Sequence, residues 1–238
     1  MKHQLTKNET ERLKQAITIT LANPFIDDIE DFIWEAIFSY AKNLPVVDPL
    51  TSIRSKRLFD IVDQKTKIGW SAKAVQWSIT ADAKFELVIQ RADIFKKAKD
   101  LGFKKLDKNS PTNLLGNALL KHWYEEKVIK DAKHQNVKDK RVCILLKSRD
   151  RKKFIYFEES IAEYKDSDIA WRWTDASKTG LQGIRKADGF CIFRWYPNQK
   201  QLFERFVVSK HSLMFKLEPK RLLASEVVSL FAQCLSKK

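Results

Sequence analysis

The sequence predicts an α/β (α+β) protein in which a mixed β-sheet is flanked by helices. Segments with apolar residues three and four positions apart stand near both ends of the chain and at its centre. Between them lie segments of strand length, rich in β-branched and aromatic residues and bounded by turn residues. With 238 residues, 44% of them hydrophobic, the chain has the material for a sizeable core, and we expect a single domain over residues 1–238.

Two helices are predicted before the first strand. Residues 8–22 place Leu13, Ile17 and Leu21 on one helical face. We expect the second helix to begin at Asn23, a good N-cap residue, with Pro24 in the first helical position. Its apolar face would extend over residues 29–40, and prolines then predict a loop over residues 43–52.

The strand block begins with a hairpin over residues 57–77, in which two apolar runs flank the polar turn "QKTK". Further strands are predicted at "FELVIQRADIF", "VCILLKS", "KFIYFEES", "DIAWRWTD" and "FCIFRWYP". A helix over residues 110–132 interrupts them, and "EPKRLLASEVVSLFAQCL" predicts a closing amphipathic helix. Tryptophans at strand spacing are typically core, which is our expectation for Trp171 and Trp173.

The formal net charge of +15 points to nucleic acid as a partner. Such a charge repels itself, and each Lys or Arg that meets a phosphate releases a counterion. Basic residues concentrate in 96–108 and 138–153, whereas 23–48 is acidic. A solvated helix face is the alternative explanation for the first basic stretch.

Several other classes find no support. No apolar run approaches the ~20 residues of a membrane span, and the charged N-terminus does not resemble a signal peptide. The three cysteines are far apart and form no C-x-x-C pair, which favours a reducing cytoplasm over a disulfide framework or zinc site. The scattered histidines do not fit a zincin or Ser-His-Asp hydrolase, and no ATP-binding phosphate loop is present.

The hairpin places polar groups among apolar residues. Asp60 lies in its first run, and Ser71 and Lys73 project from one face of its second. A carboxylate in such surroundings is costly unless it is paired or binds a cation. Two interpretations follow: a cross-strand ion pair between Asp60 and Lys73, or a metal-dependent hydrolytic centre.

The segments "FDIVD" and "GWSAK" resemble the core motif of the PD-(D/E)XK nuclease superfamily, to which many type II restriction endonucleases belong. That motif has an acid on one strand of a hairpin and acid-x-lysine on the next. Asp60 matches the first acid and Lys73 the lysine, but Ser71 stands where the family has Asp or Glu. The resemblance covers residues 25–95 and implies a catalytic core that hydrolyses phosphodiester bonds with Mg²⁺.

The resemblance also implies roles for single residues. Asp60 and the backbone carbonyl of Ala72 would hold Mg²⁺, and Lys73 would orient or activate the attacking water. Because a serine hydroxyl binds a hard cation poorly, another acid should compensate for Ser71. The family often supplies one from the helix before the hairpin. Of the acids there, Glu30, Asp31 and Glu35, we expect Glu35 first, because apolar residues surround it, and Glu30 second; Glu86 and Gln90 are further candidates.

DNA recognition and dimerisation are expected from residues 96–238. A loop is predicted over residues 174–189. It holds three of the six glycines, which allow close approach, and Arg and Gln are the side chains that read guanine and adenine. An ordinary flexible connection is the alternative for this stretch. We predict DNA contacts from Arg149, Arg151, Lys152, Lys178, Gln182, Arg185 and Lys186.

The sequence therefore favours a Mg²⁺-dependent DNA endonuclease similar to type II restriction enzymes. The resemblance implies a homodimer on a short palindromic site. Two alternatives remain open. One is a nuclease-like module that only binds nucleic acid, which Ser71 favours, and the other is an RNA-processing or repair nuclease with the same centre.

Overall fold

The computed structural model describes residues 5–46, 57–77, 84–209 and 212–236. Two compact units are present, one formed by Met1–Ile79, Val137–Ser160 and Lys210–Lys238, the other by Thr80–Asn136 and Ile161–Ser209. The predicted α+β class with a mixed sheet is confirmed. Among the described helices, none combines the length and apolar character that crossing a bilayer requires. Part of the predicted 43–52 loop, residues 47–52, lies outside the described residues.

Five α-helices and ten strands follow one another along the described chain. The helices are α1 (Lys7–Ala22), α2 (Asp31–Ala41), α3 (Thr112–Leu120), α4 (Lys130–Gln135) and α5 (Ala224–Leu235), and a π-helix, Lys121–Ile129, joins α3 to α4. The strands are β1 (Ile61–Asp63), β2 (Ile68–Trp77), β3 (Lys84–Arg91), β4 (Asp139–Ser148), β5 (Lys153–Ser160), β6 (Ile169–Trp173), β7 (Leu181–Arg185), β8 (Cys191–Tyr196), β9 (Gln201–Val207) and β10 (Leu213–Lys216).

The first unit is built on a mixed sheet with strand order β1-β2-β4-β5-β10. The predicted hairpin is present as antiparallel β1 and β2, and β2 then runs parallel to β4. Alternate residues of β2, Trp70 and Ala72, belong to the same buried cluster as Trp34 and Phe38 of α2. The cluster also contains Leu13 and Ile17 of α1, so both helices cover this face of the sheet.

The predicted start of the second helix is wrong. Asn23 does not open a helix but ends α1, and its side-chain oxygen accepts a hydrogen bond from the N–H of Phe25 at 2.9 Å. Asparagine favours such local turns as strongly as it favours helix N-caps, so its identity does not decide between them. The chain continues without helix until Asp31, although Ile29 is fully buried.

A buried polar network fixes the sheet beneath β2. The side chain of Glu158 is wholly buried and accepts hydrogen bonds from Trp70 Nε1 (2.9 Å) and Arg141 Nη1 (2.8 Å). The Tyr156 hydroxyl donates to the same carboxylate, and burial together with the Glu158 charge raises the pKa of Tyr156. Removing one partner from such a set would leave a buried charge uncompensated, so the network holds Trp70 and its strand in place.

The second unit contains an antiparallel sheet with strand order β3-β9-β8-β7-β6. The expected loop over residues 174–189 is wrong for part of this stretch, because Leu181–Arg185 form strand β7. A Cβ added at Gly183 would lie 2.8 Å from the ring of Trp171, which means that the missing side chain allows this ring to pack on the strand. Trp171 is 5% exposed, as expected for a core residue, whereas Trp173 is only partly buried.

The helical segment of the second unit carries a buried histidine. His122 lies in the π-helix and is 2% exposed, and among the described residues no partner hydrogen-bonds to either ring nitrogen. Burial lowers the pKa of His122 below 6.5, and the nearby charge of Lys97 lowers it further. The backbone of Arg91, which faces the ring without reaching hydrogen-bond geometry, and the carboxylate of Glu126 both raise this pKa, but they do not reverse the shift.

We expect His122 to make the protein less stable in acid. Its folded-state pKa lies below the unfolded value near 6.5, so the unfolded chain takes up the proton first as the pH falls. The free energy of unfolding should therefore fall below pH 6.5, by at most about 1.4 kcal/mol per pH unit. Urea unfolding at pH 7.5, 6.5 and 5.5 measures this slope. His122→Gln should show a shallower slope, and identical slopes would contradict the prediction.

Candidate active site

The candidate site lies where β1 stops pairing with β2. The last paired residues are Ile61 and Trp70, and the N–H of Asp60 donates to the carbonyl of Trp70 at 2.9 Å. Beyond this point the N–H groups of β2 on the same edge need other acceptors. The side chain of Asp60 accepts from Ala72 N–H through Oδ2 at 2.8 Å. A second carboxylate, that of Asp31, accepts from Ala74 N–H through Oδ1 at 2.8 Å.

Both carboxylates converge on one lysine. The Nζ atom of Lys73 lies 3.9 Å from Asp60 Oδ2 and 3.9 Å from Asp31 Oδ2. The side chains are 23% exposed for Asp60, 51% for Asp31 and 32% for Lys73, so solvent reaches the group. Ion pairs this open to water typically contribute about 0–1 kcal/mol each, which gives the cluster little weight as a stability device.

Asp31 occupies this place because α2 begins there. It is the first residue of the helix, where the positive end of the helix dipole favours a carboxylate. The sequence instead favours Glu35 first and Glu30 second as the compensating acid. Glu35 follows Asp31 by one helical turn on the same side of α2 and is half-buried, so it stays a candidate. Glu30 is the exposed N-cap residue of α2.

The backbone of β2 adds an oxygen ligand to the same edge. In a strand, the N–H and C=O of one residue point to the same side, so the carbonyl of Ala72 is directed as its N–H is, toward Asp60. Ser71 lies on the sheet face from which Lys73 projects and is 5% exposed. The side chain of Cys143, opposite Ala72 on β4, is fully buried, and this burial raises the pKa of its thiol.

The oxygen atoms of these groups are the type of ligand that a hard divalent cation prefers. Mg²⁺ is usually held by one or two carboxylates together with waters and substrate phosphates. Two carboxylates are accessible here, and the carbonyl of the buried residue Ala72 is directed toward the same edge. Across the described parts of the chain, no group of three or more His, Cys, Asp or Glu residues is placed to hold a metal ion. Any metal at this edge would therefore depend on phosphate and water for its remaining ligands.

Two other acids, the candidate Glu86 and the turn residue Asp63, have structural partners. Glu86, on β3 in the second unit, pairs with Arg205, and Arg194 Nη1 also lies 3.4 Å away. Asp63 closes the hairpin turn by accepting hydrogen bonds from Thr66 and Lys65, and the bond from Thr66 lowers the pKa of its carboxyl.

The basic turn between β4 and β5 lines a small cleft in the first unit. Arg149 and Arg151 border a cavity of about 200 Å³ together with Gln76 and Lys147. Arg151 has a φ of +57°, a left-handed conformation that non-glycine residues seldom adopt. Lys152, the third residue predicted to contact DNA here, points instead toward Glu218, with its Nζ 3.9 Å from Oε1.

The residues predicted to read DNA from 174–189 are held by neighbours within the second unit. Arg185 pairs with Asp188 at 2.6 Å, which lowers the pKa of Asp188 to about 2. Lys186 donates to the carbonyl of Ser167 at 2.7 Å. Lys178 donates to Asn109 Oδ1 at 2.9 Å, and Gln182 lies within β7 opposite Arg194. Reading bases would require these basic side chains to exchange partners.

Comparison with known proteins adds no relative. No family model matches the chain, and neither the curated proteins nor the solved structures contain a match. The chemistry at the edge of β2 is therefore the basis for a functional assignment. Two carboxylates and the lysine between them are reachable from solvent, beside the buried backbone carbonyl of Ala72.

Proposed function

We propose that this chain is a Mg²⁺-dependent DNA endonuclease of the PD-(D/E)XK type, similar to type II restriction enzymes. The observation that carries the proposal is the meeting of Lys73 with Asp31 and Asp60, each 3.9 Å away, at the open edge of β2. Asp60 and Lys73 are the residues that match the family motif. Asp31 would supply the carboxylate that the motif has at the position of Ser71.

Charge balance supports a metal at this edge. Two carboxylates and one ammonium carry a net charge of −1, and a phosphodiester brings another negative charge. Without a further cation at the site, the two carboxylates would repel the negatively charged phosphate. Asp60, Asp31 and the Ala72 carbonyl would hold Mg²⁺, which supplies Lewis-acid polarisation of the phosphate and acidifies a bound water.

The role of Lys73 follows from its position. Its ammonium group can donate a hydrogen bond to the attacking water or to a phosphate oxygen, where negative charge grows in the transition state. The water oxygen forms a bond to phosphorus while one P–O ester bond breaks. The products are an alcohol and a phosphate monoester, and the proton lost by the water passes to solvent or to the leaving oxygen.

The remaining features concern partners and location. The net charge of +15 and the arginines of the β4–β5 turn support DNA as the substrate. A homodimer that places two sites on the two strands of a palindrome is part of the proposal. All three cysteines are free thiols, which supports a reducing cytoplasm as the compartment.

A second candidate is a nucleic-acid-binding module without catalysis. Ser71 favours it, because a hydroxyl in place of the motif's second acid weakens metal binding. In this case Lys73 and the two acids would be only a polar cluster at a sheet edge.

Incubation of the protein with supercoiled plasmid in Mg²⁺, and in EDTA as the control, separates these candidates. We expect linear or nicked DNA in Mg²⁺ and intact plasmid in EDTA, since phosphate and metal must meet at the site. If the protein binds varied DNA tightly but does not cleave it, the assignment changes from a nuclease to a nucleic-acid-binding module. Cleavage confined to structured RNA or nicked duplex would move the assignment to a processing or repair nuclease.

A further inference from the structure

A second cleft is formed within the second unit. It has a volume of about 370 Å³, within the range of small-molecule sites. It is lined by Gln90, Arg91, Lys97, Asp100, Leu101, His122, Glu126 and Lys127. These come from the end of β3, the turns after it and the π-helix, so three separate segments of chain meet here.

The π-helix shapes one wall. Its i→i+5 hydrogen bonding brings residues four and five positions apart to the same side, which places Glu126 and Lys127 beside His122. π-Helical turns cost stability and occur frequently at functional sites. Glu126 is paired with Lys130 and Lys127 with Asp131, so these two charges are balanced within the helix.

His122 is a buried polar side chain whose ring makes no hydrogen bond within the described residues. Both ring nitrogens are buried, and a buried polar group without a hydrogen bond destabilises the fold. The lowered pKa of the ring keeps it neutral at pH 7, so it offers one donor and one acceptor. The nitrogens are closed to solvent, and binding would require the ring to turn toward the cleft that it lines.

Two cations at the same cleft are also uncommitted. Within the described residues neither Arg91 nor Lys97 has an ion-pair partner, and both are exposed. Together they favour an anionic group, and Arg can bind a phosphate through two parallel hydrogen bonds. The carboxylate of Asp100 can accept a hydrogen bond from an amine. The side-chain amide of Gln90 can both donate and accept hydrogen bonds.

We propose that this cleft binds a nucleotide, with its phosphate on Arg91 and Lys97 and its base edge on His122 and Gln90. A phosphate alone would leave the paired donor and acceptor of His122 unused, and an apolar ligand would meet charged walls. A metal ion is disfavoured because His122, Asp100 and Glu126 do not form a metal-binding group. The nucleotide is either free in solution or part of a nucleic acid strand, its base unstacked to enter the cleft.

Histidine side-chain NMR tests this directly, in EDTA so that no cleavage is involved. Long-range ¹H–¹⁵N spectra are recorded while AMP, GMP, adenosine, inorganic phosphate or a single-stranded decanucleotide is added. We expect a nucleoside monophosphate to shift the His122 ring signals, which are assigned by their loss in His122→Gln. Adenosine or phosphate alone should not shift them at equal concentration. Tighter binding of the decanucleotide indicates a nucleic acid strand as the source, and tighter binding of AMP or GMP a free nucleotide.

A matched pair of lysine variants makes the test specific. Lys97→Ala should weaken nucleotide binding by roughly tenfold, because one charge-assisted hydrogen bond is lost. Lys99→Ala removes the same charge two residues away, outside the cleft, and should leave the affinity within about twofold. Equal losses in both variants, equal shifts with phosphate alone, or no shift with any nucleotide would overturn the proposal. None of these outcomes bears on cleavage at Lys73.

Discussion

Replacing Lys73 with alanine should lower the rate of Mg²⁺-dependent DNA cleavage by about 10²–10⁴-fold, the range seen when a proton-transfer or charge-stabilising group is lost. The residue lies between Asp31 and Asp60 and is 32% exposed, so its charge is available to a phosphate. Its removal takes one positive charge from a protein of net charge +15, and DNA affinity should change little. Single-turnover cleavage and an equilibrium binding assay on the same oligonucleotide separate the two effects.

The ion-pair interpretation predicts a different result for the same variant. If Lys73 only balances the two carboxylates, its loss costs about 1 kcal/mol of stability and leaves cleavage intact. Lys65→Ala is the matched control, since Lys65 lies in the turn of the same hairpin and its backbone N–H bonds to Asp63. Removing Lys73 also removes the cation that competes with a metal for Asp31 and Asp60, so the apparent affinity for Mn²⁺ should rise. Full cleavage by Lys73→Ala would place the chemistry elsewhere.

The hairpin was predictable because its signals are local. Alternating apolar residues and a four-residue polar turn fix β1 and β2, and period-two geometry puts Ser71 and Lys73 on one face. Asp31 was not predictable as the acid, because its position depends on where α2 begins. Asn23 supports either a helix start or a turn, and the structure has the turn.

In the second unit, strand pairing and the cleft depend on contacts between residues that are far apart in the sequence, which local patterns do not predict. Strand β3 has a clear strand pattern, but nothing in that pattern tells which sheet it joins, and it pairs with β9 rather than with the hairpin before it. Gly183 of β7 pairs with Trp171 of β6, twelve residues earlier, and the ring of Trp171 packs on it, a contact that the residues around Gly183 do not indicate. The cleft at His122 requires three segments to meet, so a single histidine in the sequence gave no indication of it.

Replacing either acid at the β2 edge by its amide should abolish cleavage in Mg²⁺. Asp31→Asn and Asp60→Asn keep an oxygen that accepts from Ala74 or Ala72 N–H, so the strand edge retains its hydrogen bonds. Under the proposed function, each variant loses one of the two charges that would hold the metal. We therefore expect Mn²⁺ affinity, measured by electron paramagnetic resonance without DNA, to fall by about 10–100-fold. Thermal unfolding should change little, because the lost ion pairs are partly exposed.

Two further variants on α2 decide which acid compensates for Ser71. Glu30→Gln changes the neighbouring, exposed N-cap residue and should leave cleavage and Mn²⁺ binding intact, which makes it the matched control for Asp31→Asn. Glu35→Gln tests the acid favoured by the sequence, one helical turn from Asp31. Because Asp31 is the acid that meets Lys73 at 3.9 Å, its amide should be the more damaging change. If Asp31→Asn cleaves normally while Glu35→Gln does not, the metal is held from further along the helix and the arrangement at the strand edge is only structural.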